Sequence, residues 1–269
     1  MGIVQAITLG VVQGLTEFLP VSSSGHLIFL PHIFGWTDQG ITFDVVLHLG
    51  TLVAVTIYFR RKLYSILKEF FKLVNWKQKF KGSENGKLGW FLLLSIIPAG
   101  IFGLLFGDSI ETHLRSTHIV AFSLIFWGIL LFVADWFSEK NKQHSELNVK
   151  RVIWIACAQA LALIPGTSRS GVTMTAGLFG KLSKKDAAEF SFLMSVPIIF
   201  LAGSVKVLEL LKNVHMFEMD MGALFLGFLA SAVSGFFAIG FLLKMIQKWS
   251  FKPFALYRVG IGILILFFL

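Results

Sequence analysis

The sequence predicts an all-α polytopic membrane protein. The chain of 269 residues is 55% hydrophobic and only 14% charged, whereas soluble domains carry roughly 25% charged residues. Its apolar runs have about the length that a helix needs to cross hydrocarbon, which is about 20 residues. Six such runs occupy residues 43–59, 88–107, 118–137, 189–206, 221–243 and 254–269. This composition disfavours a soluble protein with an unusually apolar core.

Charge and cysteine content narrow the class further. The first basic residue is Arg60, so the N-terminus lacks the positive region of a secretory signal peptide. Cys157 is the only cysteine, which excludes an intrachain disulfide and a cysteine metal cluster. Much of the net charge of +9 lies in loops beside apolar runs, where membrane topology explains it better than nucleic-acid binding. We therefore expect no nucleic-acid partner.

Charge in the connecting loops assigns each loop to a side of the membrane. Loop 60–87 holds nine Lys or Arg against two Glu, loop 138–151 holds four basic residues, and loop 181–186 holds three. Loops 108–117 and 207–220 have few basic residues and several acids. The positive-inside rule makes the basic loops cytoplasmic and the acidic loops external. With six crossings, both chain termini are then external.

Two further apolar regions, 1–34 and 152–180, are interrupted midway by "LPVSSSG" and "IPGTSRSG". A single crossing by 152–180 would place the basic loop 181–186 outside, against its charge. We therefore predict that both regions are re-entrant helical hairpins. Broken backbone at membrane depth is tolerated where it is buried in protein or lines a polar cavity, so the two tips are the expected sites.

An internal repeat supports this arrangement. A shift of 146 residues aligns Gln13, Leu15, Ser22, Ser24 and Gly25 with Gln159, Leu161, Ser168, Ser170 and Gly171. Each hairpin is followed by three spans, and because three is odd, the second copy must be inverted. We predict one membrane domain, 1–269, built from repeats 1–137 and 152–269. Inverted repeats of this kind place polar sites at the repeat interface near the midplane.

The first tip combines a carboxylate with hydroxyls. Gln13 and Glu17 share a helix face because they are four residues apart. A carboxylate within the hydrocarbon span marks a functional site by default, the alternative being a structural glutamate. Ser22, Ser23 and Ser24 begin a second helix, whose unpaired backbone N–H groups suit an anion. One of these serines becomes a nucleophile if a base lies close, and ordinary helix capping is the alternative.

The same run continues with Gly25 and His26. Gly25 lets the backbone approach an oxyanion closely. His26 titrates near neutrality, and its polar neighbours favour an acid/base or nucleophilic role over a structural one. His48, in "LHLGTL", lacks such neighbours in the sequence, so a structural role is favoured there.

The second tip carries Arg169, whose planar fork matches phosphate or carboxylate bidentately. A structural ion pair with Glu17 is one interpretation, and an anionic ligand between the two tips is the stronger one. Ser168, Ser170 and Gly171 are expected to bind the same anion. Phosphoryl transfer needs positioned donors, charge neutralisation and an acid/base group. A site among lipid tails indicates a phosphorylated lipid as substrate.

The segments "VVQGLTEFLPVSSSGHL" and "IPGTSRSG" closely resemble the two signature motifs of the undecaprenyl-pyrophosphate phosphatase family of the bacitracin-resistance type. The similarity extends over essentially the whole chain. The resemblance implies dephosphorylation of undecaprenyl pyrophosphate to the monophosphate carrier lipid of bacterial cell-wall synthesis. It also implies a location in the bacterial plasma membrane.

By this resemblance, Glu17, Ser23, His26 and Arg169 carry over as catalytic or substrate-binding positions. Gln13 stands where the family motif has Glu or Gln, so Glu17 is the sole carboxylate of this helix. The family requires a divalent cation, magnesium or calcium, and one carboxylate with pyrophosphate oxygens and water suits magnesium. Glu17 is the expected metal ligand. We expect Ser23 to attack the terminal phosphorus with Glu17 or His26 as base, and His26 as nucleophile is the alternative.

A second function class remains open. Inverted repeats with interrupted helices are also transporter architecture, which suggests a transporter or flippase for an anionic polyprenyl lipid. The "SSSGH" run favours the enzyme, because translocation needs no nucleophile beside an acid/base group. The expected partners are the polyprenyl pyrophosphate and the bilayer, with a homodimer as an open alternative to a monomer.

Overall fold

The computed structural model describes residues 1–72, 83–141, 144–212 and 220–268. Over these ranges the secondary structure is helical, with no strand. The helices are α1 Ile3–Phe18, α2 Ser23–Phe34, α3 Gly40–Tyr58, α4 Arg60–Lys72, α5 Glu84–His113, α6 Thr117–Lys140, α7 Val149–Ala160, α8 Arg169–Phe179, α9 Lys184–Lys212, α10 Met221–Met245 and α11 Lys252–Phe268. A 3-10 turn, Leu161–Leu163, follows α7.

Five of these helices are long and apolar enough to cross a membrane: α3, α5, α6, α9 and α10. The chain is therefore a multi-pass membrane protein, as its composition predicts. The sixth predicted run, 254–269, corresponds to α11, which has 17 residues. Residue 269 lies outside the described residues, and a crossing by α11 stays a prediction.

Both predicted interruptions are present. The first separates α1 and α2, which have 16 and 12 residues. The second separates α7 and α8, which have 12 and 11 residues. Each of these helices is shorter than the roughly 20 residues that a full crossing requires. The site is built where they break.

One helix differs from the sequence prediction. The sequence predicts a basic cytoplasmic loop over 60–87, and its first part forms α4. Ile66 and Phe70 lie against Gly89 of α5, while Tyr64 and Phe71 are exposed. Apolar residues at helical spacing among lysines and arginines make an amphipathic helix, which a search for continuous apolar runs misses. Residues 73–82 of this loop lie outside the described residues.

Helix α1 packs against α10, and the two helices run in the same direction. Gly10 contacts the backbone of Gly227, and Gly14 contacts Ser231 and Ser234 one turn further along both helices. A Cβ atom at Gly14 would overlap the Ser234 hydroxyl. Glycines spaced by four residues let membrane helices approach this closely. Gly10 and Gly14 form a glycine stripe that determines where the end of α1 lies.

The second interrupted segment packs in an analogous way. Helix α7 runs parallel to α5, with Gln159 Nε2 donating to the Ser95 carbonyl at 3.1 Å and Leu163 facing Gly103. Each interrupted segment therefore packs against a helix from the other half of the chain. Helix α11 packs antiparallel to α6, where Gly128 makes room for the α11 backbone at Ala255.

Candidate active site

Helices α2 and α8 begin with the same local geometry. The N-cap residues Ser22 and Ser168 have φ values of 76° and 71°, a region that residues other than glycine rarely adopt. Each serine hydroxyl accepts a hydrogen bond from a backbone N–H three residues on, at Gly25 (3.3 Å) and Gly171 (3.1 Å). A glycine would suit the backbone but would lack the capping oxygen. A serine side chain therefore caps the N-terminus of each of the two helices.

The two interrupted segments touch each other. The Gly166 N–H donates to Ser24 Oγ at 3.5 Å, and Ser170 Oγ donates to the Leu19 carbonyl at 3.1 Å. Both contacts join residues more than 140 positions apart. The sequence prediction that polar tips from two distant segments lie together therefore agrees with these contacts.

Glu17 is the centre of the polar cluster. Its Oε2 atom accepts hydrogen bonds from Ser23 Oγ at 2.7 Å and from Gln13 Nε2 at 3.1 Å. Its Oε1 atom accepts from Arg169 Nη2 at 2.7 Å. The side chain is 6% exposed, so its charge is balanced by these donors rather than by water. The Ser23 hydroxyl thus donates its hydrogen bond to a carboxylate.

Arg169 reaches Glu17 from the start of α8. Its second guanidinium nitrogen, Nη1, donates to the Ser191 carbonyl of α9 at 2.9 Å. The fork thus has one arm fixed by the backbone and the other on the carboxylate. The guanidinium borders the cleft described next and has a fixed orientation there.

A cavity of about 280 Å³ opens beside these groups. Its polar wall holds Glu17, Ser23, Ser24, Ser168 and Arg169. Its other wall comes mainly from α3 and α9 and includes Val45, His48, Ile198, Ile199, Ala202, Gly203 and Lys206. A cleft with one wall of donors and one largely apolar wall suits a ligand that has an anionic head and a hydrocarbon tail.

The other predicted site residues lie behind this wall. Gln13, Ser22, Gly25, His26, Ser170 and Gly171 are buried and are absent from the cavity lining. Gln13 orients Glu17, and Ser22 caps α2. These six residues support the cavity wall and do not line the cavity.

Comparison with known proteins is consistent with this geometry. The family model "Bacitracin resistance protein BacA" matches residues 6–264. The chain belongs to the BacA family. Among its relatives, "Undecaprenyl-diphosphatase 2" of Stutzerimonas stutzeri is 47% identical, covering 99% of this chain and 98% of the relative. "Undecaprenyl-diphosphatase 1" of Pseudoalteromonas translucida is 45% identical over 100% and 99%, and "Undecaprenyl-diphosphatase" of Teredinibacter turnerae is 44% identical over 98% of both chains.

In this BacA-family chain the sequence prediction for His48 needs revision. Its Nε2 atom lies 3.7 Å from Glu17 Oε2, and its ring lines the cavity. Its Nδ1 atom is 2.7 Å from the Asp44 carbonyl. A carbonyl only accepts, so Nδ1 carries the proton and Nε2 faces Glu17 with its lone pair when the ring is neutral. The proximity of His48 to Glu17 is visible only in the fold, since the neighbours of His48 along the chain are apolar.

His26 occupies a different environment from the one its motif suggests. Its Nδ1 atom is 2.7 Å from the Ser22 carbonyl, and its Nε2 atom is 2.7 Å from the hydroxyl of Tyr257 on α11. The ring is 4% exposed and packs beside Phe29. Both nitrogens are engaged away from the cavity that Glu17 and Ser23 line.

The residues around Glu17 limit how a divalent cation could bind. The described residues contain no group of three His, Cys, Asp or Glu side chains that could hold a metal ion. Glu17 Oε1 accepts one hydrogen bond, from Arg169, and a carboxylate oxygen can accept a second contact. This donor set fits a hard cation that takes one ligand from Glu17 and the others from substrate oxygens and water.

Proposed function

We propose that this chain is an undecaprenyl-diphosphate phosphatase, which releases inorganic phosphate from undecaprenyl diphosphate and returns undecaprenyl phosphate for bacterial cell-wall synthesis. One observation carries the proposal. The Ser23 hydroxyl donates a hydrogen bond to Glu17, and Arg169 binds the same carboxylate from the second interrupted segment. Membership of the BacA family and relatives named undecaprenyl-diphosphatase support the choice of substrate.

The first step is attack by Ser23. Its Oγ atom forms a bond to the terminal phosphorus, and its proton moves to Glu17 Oε2, which lies 2.7 Å away. The bond between that phosphorus and the bridging oxygen breaks, and undecaprenyl phosphate leaves with the electron pair. A base within hydrogen-bond reach is the geometry that activates a serine nucleophile.

The second step is hydrolysis of the phosphoserine. Glu17 first loses its proton to solvent in the cleft, where His48 Nε2 is 3.7 Å from Oε2. Water then attacks phosphorus, the Ser23 Oγ–P bond breaks, and Glu17 takes a proton from water and returns one to Ser23. The products of the two steps are undecaprenyl phosphate, hydrogen phosphate and one proton, so atoms and charge balance.

Negative charge on the reacting phosphate is stabilised by donors that are already in place. Arg169 is held by the Ser191 carbonyl, so it does not have to reorganise when charge develops. The starts of α2 and α8 both point at the tips, and helix N-termini favour anions. The charged side chains of the cavity lining are Glu17, Arg169 and Lys206. Arg169 pairs with Glu17 and Lys206 with Glu209, so a multiply charged diphosphate needs the further positive charge of a cation.

We propose that Mg²⁺ accompanies the substrate, with Ca²⁺ as the alternative. Glu17 would be its protein ligand, through the oxygen that faces Arg169. When bound, the cation would neutralise part of the diphosphate charge. The apolar wall formed by Ile198, Ile199 and Ala202 would receive the first isoprene units of the lipid.

We further propose six crossings and two re-entrant hairpins, arranged as inverted repeats 1–137 and 152–269 with both termini external. Helix directions support this. Helix α1 is parallel to α10, and α7 is parallel to α5. Helix α3 is also parallel to α10, because Phe43 faces Gly227 and Ala54 faces Gly235.

Helices α3 and α5 run in opposite directions, because α4 joins the end of α3 to the start of α5. The hairpins therefore enter from opposite sides. His48 lies in the first half of α3 and Lys206 in the second half of α9, so the cleft opens toward the external face in this arrangement.

Phosphate release from undecaprenyl diphosphate by the purified full-length chain tests the proposed activity. We expect release in detergent with Mg²⁺, none from undecaprenyl monophosphate, and none from the Ser23→Ala variant. The Cys157→Ala variant is the matched control, because Cys157 is exposed on α7, outside the cavity lining. Movement of the lipid between leaflets of reconstituted vesicles without phosphate release would favour the transporter instead.

A further inference from the structure

Arg258 of α11 contacts both interrupted segments at once. Its Nη1 atom donates to the Pro20 carbonyl at 3.3 Å. Its Nη2 atom donates to the carbonyls of Gly166 at 3.1 Å and Thr167 at 2.8 Å. Pro20 lies in the break between α1 and α2, and the other two residues lie in the break before α8. One guanidinium therefore joins the two tips.

This arrangement is costly unless its geometry is maintained. Arg258 is fully buried, and in the described part of the chain its hydrogen-bond acceptors are backbone carbonyls. A buried cation without such partners carries a large desolvation penalty. Breaks in membrane helices also leave carbonyls that need donors. Nη1 and Nη2 of Arg258 thus supply donors to carbonyls of both breaks, while its buried Nε has no hydrogen-bond partner among the described residues. A shorter or non-planar cation cannot reach both breaks.

The space for this guanidinium is made by Gly171 in the first turn of α8. A Cβ atom at Gly171 would overlap Arg258 Nη1. The glycine that the sequence suggests as an anion contact is therefore explained by close packing of the arginine.

Tyr257, the preceding residue, fixes the first tip through His26. The Ser22 carbonyl can only accept, so His26 Nδ1 carries the proton and Nε2 accepts from the Tyr257 hydroxyl. The two rings are parallel within 4°, with centroids 5.7 Å apart. Ser22 precedes Ser23, so this chain of bonds orients the residue next to the nucleophile.

We propose that Tyr257 and Arg258 are positioning residues that hold the two tips in register, with His26 as the link to the first tip, and that none of the three transfers a proton. The proposal rests on the proposed phosphatase function for its kinetic consequences. Its structural consequence, a fixed distance between the tips, does not depend on any activity.

The kinetic test compares Arg258→Lys and Tyr257→Phe with a matched control, Arg151→Lys. Arg151 also donates to backbone carbonyls, those of Gly180 at 2.6 Å and Glu146 at 3.0 Å, but it is not in contact with the tips. We expect Arg258→Lys to lower kcat by about 10² and Tyr257→Phe by about 10-fold, with KM little changed, as for misplaced catalytic groups. Arg151→Lys should retain kcat per folded molecule. Wild-type kcat for both α11 variants would overturn the proposal.

His26 is tested by its pH profile. If it only positions Ser22, His26→Gln, which can still donate one hydrogen bond and accept another, should retain more activity than His26→Ala. The limbs of its kcat/KM profile should stay where the wild type has them. Loss of one limb, with glutamine as inactive as alanine, would make His26 an acid/base group and contradict this part of the proposal.

Tip geometry is measured without substrate. Spin labels at Ile33→Cys and Leu161→Cys, both exposed positions, in a Cys157→Ala background report the distance between α2 and the second break. We expect Arg258→Lys to broaden this distance distribution and Arg151→Lys to leave it unchanged. If the distribution is unchanged while kcat falls, Arg258 acts directly on substrate and is not a positioning residue. If broadening occurs in a chain that releases no phosphate, the positioning role stands and the phosphatase function fails.

Discussion

Glu17 and Arg169 are 152 positions apart in the chain, and their side chains form an ion pair with an Oε1–Nη2 distance of 2.7 Å. The side chains are 6% and 13% exposed, so each charge depends on the other. Removing one partner of a buried pair leaves an uncompensated charge and costs about 3–5 kcal/mol. A substrate phosphate must therefore share Arg169 with Glu17 rather than replace that contact outright.

Arg169→Lys should lose most of the activity although it keeps the charge. A lysine offers a point charge and cannot bind the Ser191 carbonyl and the Glu17 carboxylate through one rigid fork. We expect Arg169→Ala to lose at least about 10² in kcat/KM, in line with losing a transition-state charge contact. The measurement is phosphate release over a range of substrate concentrations. Near-wild-type turnover by the lysine variant would leave Arg169 as a general positive charge only.

The adjacent serines should respond differently to alanine. Ser23→Ala should abolish turnover and leave binding of the lipid diphosphate largely intact, since Arg169 and the helix-start amides still hold the anion. Ser22→Ala removes the cap of α2 and should lower stability by about 1 kcal/mol while keeping measurable turnover. Retained turnover in Ser23→Ala, with an acid-labile phosphoenzyme, would reassign the nucleophile to histidine.

The glycine stripe of α1 gives a stability prediction. A methyl group at Gly14 would overlap Ser234 of α10, so Gly14→Ala must push α1 away and should cost about 1–3 kcal/mol, as overpacking does. Glu17 is one turn away, so turnover should fall as well. Gly100→Ala is the control, because nothing lies within 4 Å of the added atom. Thermal unfolding in detergent measures both, and equal midpoints would contradict the packing argument.

Topology can be checked by single cysteines in a Cys157→Ala background. Cysteines replacing Ser83, Ser145 and Ser183 should be protected from an impermeant thiol reagent in intact cells, and one replacing Asp220 should be labelled. The alternation of basic and acidic loops is the basis. Labelling of Ser183→Cys from outside would show that α7 and α8 do not form a re-entrant hairpin.

Removal of divalent cations should stop turnover reversibly. Glu17 is one carboxylate near a multiply charged substrate, so the cation is expected to bind mainly with that substrate. Chelation should therefore abolish phosphate release, and added Mg²⁺ should restore it. The Glu17→Gln variant should not be rescued by any Mg²⁺ concentration. Full activity in chelator would remove the metal from the proposal.

Much of the helical fold follows from the sequence because hydrophobic length is a local property. The apolar runs and both interruptions correspond to helices and breaks. Helix α4 was missed because its apolar residues, at helical spacing, are interspersed with basic ones and form no continuous apolar run. Ile66 and Phe70 pack it against α5.

The site was predicted less completely. Polar residues in an apolar chain identify Glu17, Arg169 and the three serines 22–24, and the family resemblance selects Ser23. The structure brings Glu17, Ser23 and Arg169 together. His48 and Arg258 were not found, because their roles depend on which faces of α3 and α11 meet the tips. The side on which His26 lies is set by Tyr257, 231 positions away, and no local pattern contains that information.

The packing of each interrupted segment against the opposite half of the chain has a consequence for biosynthesis. Helices α1 and α2 are made early, yet the helix α10 against which α1 packs, and the contact residues Tyr257 and Arg258, are translated near the end of the chain. The polar residues of α1 and α2 therefore enter the membrane before α10, Tyr257 and Arg258 are available to pack against them. Assembly of the site is therefore complete only after α10 and α11 have been synthesised and inserted.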